Sequence, residues 1–212
     1  SAGEASHAEG NLTIAFCNNN HAEGNNTLAC AIGGAHAEGS NTTASGNYGS
    51  HSEGSCSTAI GIAGHAEGCL TISCGNASHA EGYKTITTGC YSHTEGWYTS
   101  ASSFAAHAEG DTTIASGQGS HSEGSYTTAS ANNSHSEGST TTALAASAHA
   151  EGTGAKACGV GSHSEGHLTI ATAAYSHAEG ECSTALCINS HAEGALTKAC
   201  GCRSHSEGYC TH

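Results

Sequence analysis

Small, polar and apolar residues alternate in two short segments that recur along the whole chain. Counting from a recurrent His as position 0, position +1 is Ala, Ser or Thr, position +2 is Glu and position +3 is Gly in every copy. Position +6 is Thr or Ser except at Ala155, and position +8 is Ala except at Ser73 and Thr87. Alternation with a period of two predicts β-strands, with positions +1, +6 and +8 facing a narrow interior. The His, the Glu and positions +7 and +9 are then predicted to face outwards.

The repeat has an almost constant length. Fifteen copies occur at a spacing of 14 residues, except that the intervals beginning at His21 and His36 have 15. Residues 31–35 (Ala-Ile-Gly-Gly-Ala) lie in the first longer interval, directly before the next His, so we predict a turn there that tolerates insertion. Fourteen residues hold two strands and two turns but no helical crossover. The pattern therefore predicts an all-β fold, a parallel β-solenoid of about fifteen coils with two short strands per coil.

We expect one continuous β-roll array over residues 1–212, as a section of a longer chain or filament. Glycines are predicted at the corners of the coils, where a positive φ is needed. Glycines at position +10 are predicted to serve as corners in the same way: Gly46, Gly61, Gly75, Gly89, Gly117, Gly159 and Gly201. The corner glycines at position +3 are Gly10, Gly24, Gly39, Gly54, Gly68, Gly82, Gly96, Gly110, Gly124, Gly138, Gly152, Gly166, Gly180, Gly194 and Gly208.

Composition agrees with a backbone-stabilised fold. The chain has 30 Gly, no Pro, no Met, two Phe and one Trp, so large apolar side chains are scarce and backbone hydrogen bonds must carry the fold. Of its 18 acidic residues, fifteen belong to the repeated motif, and only four residues are basic. Four basic residues cannot neutralise a phosphate backbone, which excludes nucleic acid as a partner. No apolar run approaches the length of a membrane span, so no membrane insertion is expected.

The repeats resemble a known family. The segments Ser162-His163-Ser164-Glu165-Gly166 and 120–130 (SHSEGSYTTAS) are similar to the YadA-like head repeats of trimeric autotransporter adhesins and to the related SHAEG repeats of bacterial surface and phage fibre proteins. The resemblance implies a left-handed β-roll in which three copies lie side by side. It also implies an extracellular, cell-surface or virion location and a structural role as a fibre or adhesin shaft. The implied partners are further copies of the chain, joined as a homotrimer and end to end or laterally as a filament, and a surface receptor of unknown identity.

In a stacked solenoid the same position recurs in every coil, so the His and Glu residues form two parallel rows. We call these rows the His–Glu ladder. Because outward positions exposed to water should vary and these do not, we expect the ladder to lie between chains. Pairing with Glu is expected to raise the pKa of the histidines, with stability lost as pH rises. The ladder comprises His7, Glu9, His21, Glu23, His36, Glu38, His51, Glu53, His65, Glu67, His79, Glu81, His93, Glu95, His107, Glu109, His121, Glu123, His135, Glu137, His149, Glu151, His163, Glu165, His177, Glu179, His191, Glu193, His205 and Glu207.

Two other functions stay open at the level of sequence. His and Glu are ligands for zinc and similar ions, so the ladder is also a candidate metal-binding surface, although a regular row does not by itself converge on one ion. The Thr row is a candidate ice-binding face, but position +6 shares its predicted inward direction with the small residue at +8. Fifteen equivalent copies hold no unique constellation of catalytic groups, so we expect no enzyme activity and no cofactor.

The 12 cysteines occupy scattered positions of the repeat and form no zinc-type Cys-x-x-Cys motif. Three pairs 13 residues apart are candidates for disulfides between adjacent coils, although side-chain alternation within a strand opposes such bridges. Cysteine as a small residue that fills or coats the coil is the alternative. The candidate pairs are Cys17 with Cys30, Cys56 with Cys69, and Cys187 with Cys200.

Overall fold

A computed structural model describes residues 3–212 of the chain. These residues form two compact units, one ending at Ala106 and the other running from His107 to His212. Each unit is a stack of coils, and each coil contributes one strand to each of two parallel sheets. No described residue lies in a helix, so this part of the chain holds no helix that could span a membrane. The predicted all-β parallel solenoid is confirmed.

In the first unit, the strands that begin with the ladder histidines form a parallel sheet, which we call the histidine sheet. The shorter strands form a second parallel sheet, the short-strand sheet. The histidine sheet comprises β1 (His7–Asn11), β3 (His21–Asn25), β5 (His36–Ser40), β7 (His51–Ser55), β9 (His65–Cys69), β11 (His79–Tyr83) and β13 (His93–Trp97). The short-strand sheet comprises β2 (Ile14–Phe16), β4 (Leu28–Cys30), β6 (Thr43–Ala44), β8 (Thr58–Ala59), β10 (Ile72–Ser73), β12 (Ile86–Thr87) and β14 (Ser100–Ala101).

The second unit repeats this arrangement. Its histidine sheet comprises β15 (His107–Asp111), β17 (His121–Ser125), β19 (His135–Ser136), β21 (His149–Thr153), β23 (His163–His167), β25 (His177–Glu181), β27 (His191–Ala195) and β29 (His205–Tyr209). Its short-strand sheet comprises β16 (Ile114–Ala115), β18 (Thr128–Ala129), β20 (Thr142–Ala143), β22 (Lys156–Ala157), β24 (Ile170–Ala171), β26 (Thr184–Ala185) and β28 (Lys198–Ala199).

The strands pair in register, so each residue lies beside its own repeat in the next coil. In β15 and β17, for example, His107 pairs with His121 and Glu109 pairs with Glu123. The same register holds in the first unit, where His7 pairs with His21. In-register pairing converts every position of the repeat into a column along the stack. The identical residues of the sequence are thereby brought side by side.

The interior is lined by small residues from four columns. Positions +1, +6 and +8 are buried as predicted, and the residue before each ladder His forms a fourth buried column, usually Ser. Ser120 in this column donates its hydroxyl to the carbonyl of Gly117 at 2.7 Å, and Ser134 does the same to Ala131 at 2.6 Å. This column was not predicted from the repeat pattern. Because its members bury little apolar area, hydrogen bonding supplies much of the order in the interior.

Two of the predicted turn features have different outcomes. The turn at 31–35 is confirmed, and Gly33 and Gly34 there have φ of +93° and +87°. The corner role of the +10 glycines is wrong, because the seven residues predicted, from Gly46 to Gly201, have no positive φ. The residue two positions before each ladder His adopts the left-handed conformation instead. Ala131 and Ala173 occupy position +10 in other coils, which shows that this column does not require Gly.

The +3 glycines have the positive φ that was predicted, but most of them lie within a strand of the histidine sheet, one residue before its end, and not at a corner between strands. Gly110, Gly124 and Gly138 have φ of +108°, +103° and +101°. A Cβ on Gly124 would also overlap the carbonyl oxygen of Gly138 in the next coil. Two separate features therefore favour Gly over other residues at this position: the positive φ of its backbone and the close approach of the adjacent coil.

Candidate functional site

The His–Glu ladder lies on the outer face of the histidine sheet. The intervening residue at +1 is buried, so alternation sends His and Glu to the same side of each strand. In the second unit, imidazole rings of neighbouring coils are stacked with centroids 4.7 Å apart from His135 to His149 and from His149 to His163, at interplanar angles of 5° and 2°. The ladder is thus a continuous row of parallel rings within the unit.

Most ladder histidines face the Glu of their own coil. The His Nε2 atom lies 3.4 Å from a carboxylate oxygen in the pairs His121–Glu123, His135–Glu137 and His149–Glu151. Towards the end of the second unit the pairing also crosses coils, since His191 Nε2 lies 3.7 Å from Glu179. The predicted pairing of the two rows therefore occurs within one chain.

Close approach does not produce hydrogen bonds along most of the ladder. His7 and Glu9, in the first coil, form one at 3.3 Å. At His65, His121, His135 and His149 the Nε2 atom is buried and makes no hydrogen bond. The imidazole side chains remain about one-third exposed, 36% at His121 and 35% at His135. The face consequently exposes part of each ring, while the Nε2 atom is covered and has the Glu of its own coil as its nearest carboxylate.

The predicted rise in histidine pKa is wrong. Burial lowers the pKa of five ladder histidines below its usual value, and neighbouring imidazoles lower it further, an effect that the Glu residues only partly offset. For His149, burial acts first, followed by the charges of His135 and His163. Stacking brings like-charged groups together, which favours the neutral ring. The affected histidines are His36, His51, His79, His149 and His177.

The carboxylate row shows the matching effect at its least exposed member. Burial raises the pKa of Glu179, and the neighbouring Glu165 and Glu193 raise it further. Its side chain is 26% exposed, against 36% for Glu151. The ladder thus places like charges side by side in its Glu row, next to a His row that favours the neutral ring, and it favours ligands that neutralise carboxylates.

The candidate ice-binding face is not available at position +6. Thr113, Thr127 and Thr141 are fully buried, and their hydroxyl groups point into the coil. A buried hydroxyl cannot contact an ice surface. The inward direction predicted for this row is confirmed.

The outward direction predicted for position +9 is confirmed, and the position carries an intermittent row of apolar residues. Phe16, Ile60, Leu144 and Leu186 are 52%, 49%, 50% and 45% exposed. Polar residues such as Ser116 interrupt the row in other coils. The short-strand sheet therefore presents a variable surface, in contrast to the constant His–Glu face.

The three candidate disulfides do not form, and a different pair does. Cys187 bonds to Cys202, 15 residues on, with a Cα–Cα distance of 4.7 Å. Both residues lie in the corner after the short strand, where the side-chain alternation of a strand does not apply. The remaining members of the predicted pairs are free thiols: Cys17, Cys30, Cys56, Cys69 and Cys200.

One cluster interrupts the regular surface and was missed from the sequence. Tyr83 lies against Trp97 and Tyr98 with ring centroids 5.8 Å away in each case, and Lys84 Nζ donates to the Tyr98 hydroxyl at 2.8 Å. The sequence does contain a signal for this cluster. Tyr83 is at position +4 of one coil, and Trp97 and Tyr98 are at positions +4 and +5 of the next. Trp97 is the chain's one Trp, so its fluorescence reports on this part of the first unit.

Comparison with known proteins adds no assignment. No protein-family model and no curated protein matches this chain. The repeat motif and the geometry of the ladder are therefore the features that point to a function.

Proposed function

We propose that the chain is a structural protein, a section of an extracellular fibre or adhesin shaft in which three copies pack side by side. The observation that carries this proposal is the contrast between the two outer faces. Position 0 is His and position +2 is Glu in every coil, whereas +7 ranges from Ile72 to Lys198 and +9 from Phe16 to Ser116. A constant polar face is expected where each coil meets the same neighbour.

The partly exposed side chains of the ladder support a protein neighbour. His121 and Glu123 are 36% and 37% exposed, and His135 and Glu137 are 35% and 37% exposed. Polar groups that become buried in an interface are almost always paired. In the proposed trimer, the exposed parts of the Glu and His side chains of adjacent chains pair with one another, which gives an interchain ladder along the assembly.

The uniformity of the coils supports a mechanical role over a catalytic one. Their interior consists of in-register columns of Ala, Ser and Thr, and their ladder groups are equivalent from coil to coil. Such a stack transmits load through backbone hydrogen bonds, for example His163 N to Ser176 O at 2.9 Å. An extracellular location follows from the resemblance to adhesin and fibre repeats.

The test is the absolute mass of the purified native chain by light scattering. The proposal predicts about three times the 20.8 kDa of one chain, also in the presence of a chelator. A particle of one chain's mass at micromolar concentration would overturn the trimer and leave the ladder facing water.

A pair of matched variants then locates the interface. Glu123→Lys with Glu137→Lys should dissociate the trimer, because each substitution removes a carboxylate that the interchain ladder requires and places a longer cationic side chain in the interface. The control is Thr128→Lys with Thr142→Lys on the short-strand sheet, where Lys156 and Lys198 already occupy the same column. Dissociation by the control pair alone would place the interface on the other sheet.

A further inference from the structure

The ladder brings donor atoms from two coils together in threes. A typical group is His121, Glu123 and His135, whose ligand atoms, one from each side chain, all lie within 4.8 Å of one another. Equivalent groups recur in the first unit, for example His65, Glu67 and His79. In-register stacking creates these groups, because it places the next coil's imidazole directly beside each His–Glu pair.

The spacing within a coil suits a transition-metal ion. Zinc binds His nitrogen and carboxylate oxygen at about 2.0–2.2 Å, so two donors on a tetrahedral ion lie roughly 3.3 Å apart. The Nε2–carboxylate separation is 3.4 Å at both His121–Glu123 and His135–Glu137. The second imidazole is farther away, since the rings of His121 and His135 have centroids 4.9 Å apart. Rotation about its side-chain torsions can bring that nitrogen to the ion.

A second observation, independent of the distances between donor atoms, also points to a metal ion at the ladder: ring nitrogen atoms that make no hydrogen bond. The Nε2 atoms of His121, His135, His149 and His163 are buried and make no hydrogen bond, although each lies beside a carboxylate. A ring nitrogen without a proton offers its lone pair to the same space as the carboxylate oxygen, and the two repel. A cation between them satisfies both groups.

We propose that the His–Glu ladder binds divalent transition-metal ions, with zinc as the type case, each held by two His of consecutive coils and the Glu between them. Three protein donors leave one position of a tetrahedral ion for water or for a group of a partner chain. Imidazole donors favour zinc, nickel or copper over the calcium and magnesium ions that prefer oxygen. The inference is independent of the proposed trimer.

Sharing of histidines sets the stoichiometry. His135 belongs both to the group with His121 and to the group with His149, and its Nε2 can bind one ion at a time. At saturation every second gap between coils is therefore filled. Fifteen ladder histidines, used in pairs, allow at most about seven ions per chain.

The experiment is equilibrium dialysis of the full chain against zinc at pH 7.5, with bound metal measured by mass spectrometry. The ten free thiols are alkylated first, because thiolates also bind zinc. We expect about seven zinc ions per chain and no binding of magnesium. Fewer than about one ion per chain at 100 μM zinc would overturn the proposal.

A variant with a matched control assigns the ions to the ladder. Gln at His121, His149, His177 and His205 leaves no two consecutive ladder histidines in the second unit, so binding should fall to about three ions per chain. The control is His167→Gln, since His167 lies on β23 but outside the ladder. Unchanged binding in the fourfold variant, or an equal loss in the control, contradicts the proposal.

Two further measurements on the wild-type chain keep the test independent of folding and of the trimer. Zinc should protect the ladder histidines, but not His167, from acylation by diethyl pyrocarbonate, as mapped on peptides. Light scattering on the same samples separates the two proposals. A monomer that binds zinc would refute the proposed trimer but not the metal site. A trimer that binds no zinc would refute the metal site but not the trimer.

Discussion

Ser122 and Thr127 join their hydroxyl groups through a hydrogen bond of 2.8 Å across the interior of a single coil. The same pairing occurs between Ser136 and Thr141. In the preceding coil position +1 is Ala108, and the buried hydroxyl of Thr113 has no partner. In these coils a Ser at +1 supplies the +6 hydroxyl with a partner that Ala108 does not.

This relationship predicts opposite effects for one substitution in adjacent coils. Thr127→Val should destabilise the chain by about 1–2 kcal/mol, because it leaves the buried Ser122 hydroxyl without its partner. Thr113→Val keeps the shape and removes an unpaired hydroxyl, so it should be neutral or stabilising by up to about 1 kcal/mol. Urea unfolding followed by circular dichroism measures both. Equal losses in the two variants would show that the hydroxyl pair does not matter.

A second prediction concerns the glycines at position +3. Gly208, in the last coil, serves as the control. Gly124→Ala should destabilise by more than about 3 kcal/mol, because its Cβ overlaps the carbonyl of Gly138 and its φ is +103°. Gly208 has a similar φ of +106°, but its nearest neighbour would be Thr211 Cγ2 at 3.8 Å. Gly208→Ala should therefore cost only the backbone strain, about 1–3 kcal/mol. Thermal unfolding in parallel compares them, and a Gly208→Ala loss as large as that of Gly124→Ala contradicts the overlap.

The lowered histidine pKa values predict how stability depends on pH. The unfolded chain takes up protons near pH 6.5, whereas His149 and the other affected histidines resist protonation when folded. Stability from these groups is therefore complete above about pH 6.5 and is lost as pH falls through their lower folded pKa. In EDTA, the melting temperature should drop between pH 7 and pH 5.

A single-site variant checks the source of this pH dependence. His149→Gln should weaken it, whereas His167→Gln, outside the ladder, should leave it unchanged. A melting temperature that rises towards pH 5 would mean that the Glu residues outweigh burial and stacking, in line with the expectation drawn from the sequence.

A fourth prediction concerns the left-handed residues at position +5. Thr140 is exposed and has φ of +59°, a conformation that a β-branched side chain disfavours. Asn tolerates this conformation better, so Thr140→Asn should stabilise the chain by about 0.5–1 kcal/mol. Thr142→Asn, in strand β20, is the control and should destabilise, because Asn is unfavourable in strands. Chemical unfolding measures whether each variant gains or loses stability. A loss of stability in Thr140→Asn would show that the positive φ does not disfavour Thr there.

Much of the candidate site was predictable from the sequence. The spacing placed His and Glu on one outer face, and in-register stacking followed from a repeat of constant length. The disulfide was not predictable, because the alternation used for Cys187 and Cys200 ends at the corner where Cys187 meets Cys202. Left-handed residues such as Thr140 and Tyr126 were also missed, since neither is a residue type that signals positive φ.

The sequence by itself determined the class of fold, three of the four columns that line the interior, and the face that carries the ladder. A 14-residue period with two alternating segments permits few other arrangements. Only the tertiary structure decided the protonation preference of the histidines and the grouping of ligands across coils. Both depend on the distance between neighbouring coils, which brings the rings of His149 and His163 to 4.7 Å. At that distance burial and like charge outweigh the attraction of Glu, a balance that no order of residues along the chain reveals.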